Sequence, residues 1–152
     1  MSIIRAFRFP ASVHWLGGRL TRATARGKPE LEVATPPEFK GGIEGVWSPE
    51  ELLVASVGSC FTVTLAAVAE RSGVELDMIN VDAVGYVERG ADGRFRFDAI
   101  KLAVEIGAAE DLPSIEQLVA QTERLCVVSL ALDVPVHVRT VLASPASVAI
   151  TH

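Results

Sequence analysis

Three hydrophobic rhythms run along this chain. From Leu52 to Ala69 apolar and small residues follow one another without a single charge; Ile100, Leu102, Val104 and Ile106 alternate with their neighbours; and Ile115, Leu118, Val119, Thr122 and Cys126 recur at intervals of three and four. The second rhythm predicts a half-buried strand and the third an amphipathic helix. The first predicts a helix apolar on every side, which belongs in a core. Its start is marked by Ser48 as cap, Pro49 at the first helical position and Glu51 three residues after Ser48, and its end by Ser72-Gly73. Such a helix is about 35 Å long at 1.5 Å per residue, more than a domain of this size covers alone. A second subunit is therefore expected to supply the missing cover.

The uncharged run also approaches the ~20 residues that a membrane span needs. It carries Ser56, Gly58, Ser59, Cys60, Thr62 and Thr64, is flanked by Glu50, Glu51 and Glu70, and has no second span after it. The expectation is a soluble core helix and no membrane.

Around it the pattern is mostly β. Arg5 to Trp15, Leu20 to Ala25 and Leu31 to Ala34 predict an N-terminal meander, followed by a Pro- and Gly-rich loop from Thr35 to Trp47. Met78 to Glu88 and Arg94 to Ile106 flank Gly90 to Gly93 as a hairpin, Asp111 opens the second helix, and Val134 to Leu142 closes as a strand. The tail from Ser144 to His152 is expected to be peripheral. These elements predict an α+β fold in one domain spanning 1–152.

Composition narrows the function. The 152 residues carry a net charge of −5, with no Lys/Arg-rich run, which argues against nucleic acid. The N-terminus lacks the apolar region of a secretory signal, so a cytoplasmic location is expected. His14, His137 and His152 show no ligand spacing, and Gly17-Gly18 and Gly41-Gly42 are not phosphate-loop motifs, so neither metal nor cofactor is expected. Trp15 and Trp47 are read as core or interface anchors.

Cys60 and Cys126 are the only cysteines and do not form a CxxC. In a reducing compartment they are either two core thiols or a redox couple. Both lie on the inward faces of the two predicted helices, so they can meet. A thiol attacks only as thiolate, which a nearby guanidinium favours. Arg19 and Arg22 in the meander are the candidates, because Cys60 is roughly 15 Å up the axis from Glu50, beyond the reach of its own helix dipole.

The string from Ser48 through Pro49, Glu50, Leu52 and Ala55 to Cys60-Phe61 resembles the first-cysteine signature of the OsmC/Ohr family of thiol peroxidases. Cys126-Val-Val-Ser129 is similar to that family's Cys-Pro-x-Ser, and Trp15, Gly17-Gly18-Arg19 and the Pro-Pro-Glu-Phe loop at Pro36 to Phe39 follow its order. The resemblance covers roughly Val13 to Val141. It implies curved antiparallel sheets around two long buried helices, in an intertwined homodimer with active sites at the subunit interface. It implies further that Cys60 attacks an organic hydroperoxide and becomes a sulfenic acid, and that Cys126 resolves it as a Cys60–Cys126 disulfide. A dithiol such as dihydrolipoamide then reduces that disulfide. Glu50 would hold the activating arginine, Arg19 by its Gly-Gly-Arg placement with Arg22 as the alternative, and Phe61 would line the pocket. Val127 departs from the pattern by replacing the usual proline, and no loop arginine stands between Thr35 and Trp47. The alternative reading is an OsmC-like protein without enzymatic activity that binds an apolar ligand or senses redox state.

Overall fold

A computed structural model of the chain describes residues 6–143. Its contacts divide into two compact units, Met1–Leu52 and Leu53–His152.

In the first unit, β1 (Ser12–Gly17), β2 (Leu20–Thr24) and β3 (Leu31–Ala34) form an antiparallel meander in that order. The first strand begins later than the expected Arg5. Residues 6–11 have no regular structure, and Pro10 among them has no N–H to give to a ladder. The expected loop follows β3 as a series of turns and returns at Trp47, whose carbonyl accepts from Ala34 N–H at 2.8 Å. Ser48 and Glu51 then form the expected capping box: Glu51 N–H donates to Ser48 Oγ at 3.1 Å, and Ser48 N–H donates to Glu51 Oε2 at 2.9 Å. This opens α1 (Pro49–Arg71), which ends at Gly73 with φ of 70°.

The second unit holds the rest of α1, then β4 (Leu76–Arg89), β5 (Phe95–Ala108), α2 (Leu112–Leu125), a short α3 (Val127–Leu130) and β6 (Val136–Leu142). Strands β4 and β5 form the expected hairpin, with Gly93 N–H donating to the Gly90 carbonyl at 2.9 Å in its turn. The expectation of antiparallel sheets meets one exception, because β6 pairs parallel to β5, Ile100 opposite Val136 and Ile106 opposite Leu142. A parallel pair needs a crossover, and α2 with α3 provides it. The tail from Ser144 onward lies outside the described residues, as does Arg5.

The core of this unit sits between the sheet and its helices. Ile100, Leu102, Val104 and Ile106 of β5 point into it together with Phe61, Leu65 and Val68 of α1 and Ile115, Leu118 and Val119 of α2. Helix α1 is long and apolar enough to cross a membrane by length and composition, yet here one of its faces is packed into this core. Its cover within the chain is one-sided: Val57, Phe61, Leu65 and Val68 are buried while Val63 is 64% exposed. The all-round burial expected from the uncharged run is thus incomplete within one chain.

Small residues let α1 approach β4 closely. A Cβ on Gly85 would stand 2.5 Å from Val54 Cγ2 and 2.7 Å from Phe97 Cε1, both on half-buried side chains. Gly85→Ala is therefore expected to destabilise the protein by about 1–3 kcal/mol through overpacking. Urea denaturation measures this, and an unchanged midpoint would mean that helix and strand separate there at no cost.

Candidate active site

Cys60 occupies the middle of α1 and is half-buried; Cys126 is fully buried between α2 and α3. The local structure at Cys126 follows from its two roles in the backbone. Its N–H donates to the Thr122 carbonyl at 2.9 Å, closing α2, while its own carbonyl accepts from Leu130 N–H at 3.0 Å, opening α3. Its extended conformation, φ −69° and ψ 99°, breaks the helix between them. Both cysteines are free, and each thiol acts on the acidity of the other.

The surroundings push the two sulfurs apart in acidity. Burial works against a charge on Cys60, but it is outweighed by the Val128 N–H, the Cys126 thiol, the Thr64 hydroxyl and the Val127 N–H, which hold the Cys60 thiol below its ordinary value. Thr64 Oγ1 lies 4.0 Å from the Cys60 sulfur, one helical turn along. Cys126 moves the other way. Its burial raises it, the Ser129 hydroxyl lowers it, and the neighbouring Cys60 raises it further. Ser129 Oγ donates to Cys126 Sγ at 3.1 Å. The result is an unequal pair, with the negative charge favoured on Cys60 and the proton on Cys126. Environments that drive two titrating groups apart in this way assign their chemical roles.

Val127 N–H is a donor that proline cannot provide. Val127→Pro is expected to raise the Cys60 thiol and slow its reactions at neutral pH by less than about fivefold, the worth of one hydrogen bond, since Val127 is the weakest of the four groups that lower it. The fold is expected to survive, because proline suits a first helical position and the residue before it, Cys126, is already extended. The pH dependence of Cys60 alkylation, with Cys126 replaced by serine, reads the shift; an unmoved profile would remove Val127 from the group of donors.

Phe61, next to Cys60, is 1% exposed and faces the core. With Ser129, Leu130, Val134, Val136, Val138 and Glu123 it lines a cavity of about 130 Å³. The other residues singled out in the sequence belong to the first unit. Glu50 stands in the first turn of α1, and among the described residues no hydrogen-bond partner reaches its buried Oε2. Arg19 is exposed in the turn between β1 and β2, its side chain running past Gly41. Arg22 is engaged on the surface of the meander, 3.4 Å from Glu30 and 3.6 Å from Glu32. Sequence reasoning attached no role to Thr64, the Val127 and Val128 N–H groups or Ser129. The signals for them were the four-residue interval from Cys60 to Thr64 and, for Ser129, its place in the Cys126-Val-Val-Ser129 string.

Comparison with known proteins gives this arrangement a context. The family model described as OsmC-like protein matches residues 42–141. An uncharacterized protein of Bacillus subtilis, YmaD, is 27% identical over 131 residues, covering 82% of this chain and 86% of its own length. An OsmC-like protein of unknown function from Vibrio cholerae superposes with a TM-score of 0.82 at 16% identity, over 90% of this chain and 100% of that one. The organic hydroperoxide resistance protein OhrB of Bacillus subtilis does so at 0.70 and 22%, over 90% and 98%. The organic hydroperoxide resistance protein of Elizabethkingia anophelis, with bound thiocyanate, gives 0.77 and 20%, over 93% and 99%. At these identities the solved structures speak for a shared fold.

Proposed function

The chain belongs to the OsmC-like protein family, and on that premise we propose that it is a thiol-dependent peroxidase that reduces organic hydroperoxides. The observation that carries this reading is the unequal thiol pair: a Cys60 thiol held below its ordinary value and a Cys126 thiol raised above its own, each acting on the other. Solved relatives with the same fold bear the name organic hydroperoxide resistance protein, which supports the substrate class.

In this mechanism the Cys60 thiolate attacks the terminal oxygen of the hydroperoxide. The O–O bond breaks, the terminal oxygen passes with its hydrogen to the Cys60 sulfur as a sulfenic acid, and the alkoxide leaves as an alcohol by taking up from solvent the proton that the Cys60 thiol released on ionising. Cys126 then attacks the Cys60 sulfur; the S–O bond breaks, water leaves and a disulfide forms. A dithiol such as dihydrolipoamide restores both thiols by exchange and is itself oxidised to a disulfide. Arg19 is the guanidinium we assign to the thiolate, oriented by Glu50, whose buried Oε2 lacks a partner among the described residues. Arg22, already paired with two glutamates, is the poorer choice. A homodimer belongs to the same proposal, its partner helix covering the face of α1 that leaves Val63 exposed.

Consumption of cumene hydroperoxide and of hydrogen peroxide, each with dihydrolipoamide as reductant, tests the reading. Turnover with a preference for the organic peroxide is expected. No consumption of either would sink the enzyme and favour the binding role for the same fold.

A further inference from the structure

We propose that Ser129 is the positioning residue of the resolving thiol: its hydroxyl fixes the Cys126 sulfur against Cys60 and stabilises the charge that develops there as the disulfide closes. The inference rests on the assignment of Cys126 as the thiol that closes the disulfide. Its starting observation is the 3.1 Å hydrogen bond from Ser129 Oγ to Cys126 Sγ.

The backbone makes this contact a consequence of spacing. Cys126 precedes the first residue of α3, and Ser129 stands three residues on, so one helical turn brings its side chain back over the sulfur. That turn is held by Leu130 N–H on the Cys126 carbonyl at 3.0 Å and by Ala131 N–H on the Val127 carbonyl at 3.2 Å. Cys126 itself is fully buried, so a negative charge on its sulfur depends on the protein's own donors. Ser129 also lines the cavity shared with Phe61 and the β6 valines, a largely apolar surrounding in which one hydroxyl weighs heavily.

The need for such a group follows from the imbalance between the two thiols. What favours the proton on Cys126 protects the Cys60 thiolate before oxidation and hinders Cys126 as a nucleophile afterwards. Once Cys60 carries the sulfenic oxygen, the Cys126 proton passes to that oxygen as the S–O bond breaks. Water departs, and the electron pair left on Cys126 sulfur forms the S–S bond. Throughout this step the Ser129 hydroxyl keeps donating to the sulfur that bears the developing charge. A hydrogen bond to the charged form favours that form.

The test uses the full chain with Ser129→Ala and Ser129→Thr. One equivalent of cumene hydroperoxide is added, and sulfenic acid and disulfide are followed separately by quenched alkylation and mass analysis. In parallel, diamide closes the same disulfide without a peroxide, and the pH dependence of Cys126 alkylation is recorded with Cys60 replaced by serine. Ser129→Ala is expected to slow disulfide closure roughly tenfold with either oxidant, the loss expected for a hydrogen bond to a charged group. Its Cys126 alkylation profile is expected to move to higher pH, and Ser129→Thr to restore both. Closure at the wild-type rate with an unmoved profile would overturn the proposal. So would equal slowing of sulfenic acid formation and closure that threonine does not rescue, since that pattern belongs to a general structural defect. If peroxide leaves Cys60 untouched in the wild type, the peroxidase reading fails alone, and the diamide and alkylation results still decide the role of Ser129.

Discussion

Replacing Cys60 by serine is expected to abolish peroxide reduction, by roughly a thousandfold or more, because a hydroxyl at that position cannot become the attacking anion. Cys126→Ser is expected to permit one turnover and then stall, with Cys60 held as sulfenic acid or driven to sulfinic acid by excess peroxide. The asymmetry between the variants follows from the site. Hydrogen bonds from Val128, Cys126, Thr64 and Val127 outweigh the burial that opposes a charge on Cys60, whereas Cys126 is raised by its burial and by the neighbouring Cys60 against the pull of Ser129. The sign of the pH dependence is set by the same balance. Thiolate grows as pH rises through the lowered value of Cys60 and is complete above it. The first step should therefore fall on acidification through that value and level off toward alkaline pH. Stopped-flow measurement of a single peroxide addition separates the two variants. Sustained turnover by Cys60→Ser would move the chemistry elsewhere.

Phe61→Ala is expected to lower stability by about 3–5 kcal/mol, a large part of the ~5–15 kcal/mol that holds a typical domain folded. The ring is 1% exposed and belongs to the cluster formed by α1, β5 and α2. It already borders a cavity of about 130 Å³, so the deleted ring would enlarge a void instead of letting well-packed neighbours close in. Leucine at this position would retain most of the contact and lose less. Urea denaturation of the two variants gives the ordering. A loss below about 1 kcal/mol for alanine would show that this region repacks freely. Because Phe61 adjoins Cys60 on the same helix, the peroxide kinetics of both variants should be measured under conditions where they remain folded.

The features that sequence alone determined are those whose interactions close within a few residues. Ser48, Pro49 and Glu51 announced the start of α1 because a capping box joins positions three apart, and the hydrogen bonds between Ser48 and Glu51 are its direct expression. Gly90 to Gly93 announced the β4–β5 hairpin, and the alternation of Ile100, Leu102, Val104 and Ile106 named the buried face of β5, since side chains change sides at every residue of a strand. The inward face of α2 was legible from the three- and four-residue spacing of Ile115, Leu118, Val119 and Thr122. Other features depended on residues far apart in sequence. Parallel pairing of β6 with β5 rests on where the α2–α3 crossover delivers the chain, and neither strand carries a local mark of its neighbour's direction. Uncharged residues on every side of α1 could not say that this chain covers only one face, because composition does not record which surface a neighbour reaches. The guanidinium expected for Cys60 was argued from charge; the groups described as favouring its thiolate are the Cys126 thiol, the Thr64 hydroxyl and the Val127 and Val128 N–H groups, the last two in a four-residue helix that no hydrophobic period predicts. Spacing alone offered two thiols on two helices; only the tertiary fold brought Cys60 and Cys126 together and gave them opposite tendencies to ionise, because burial and hydrogen bonding at a sulfur are set by the packing of sequence-distant elements.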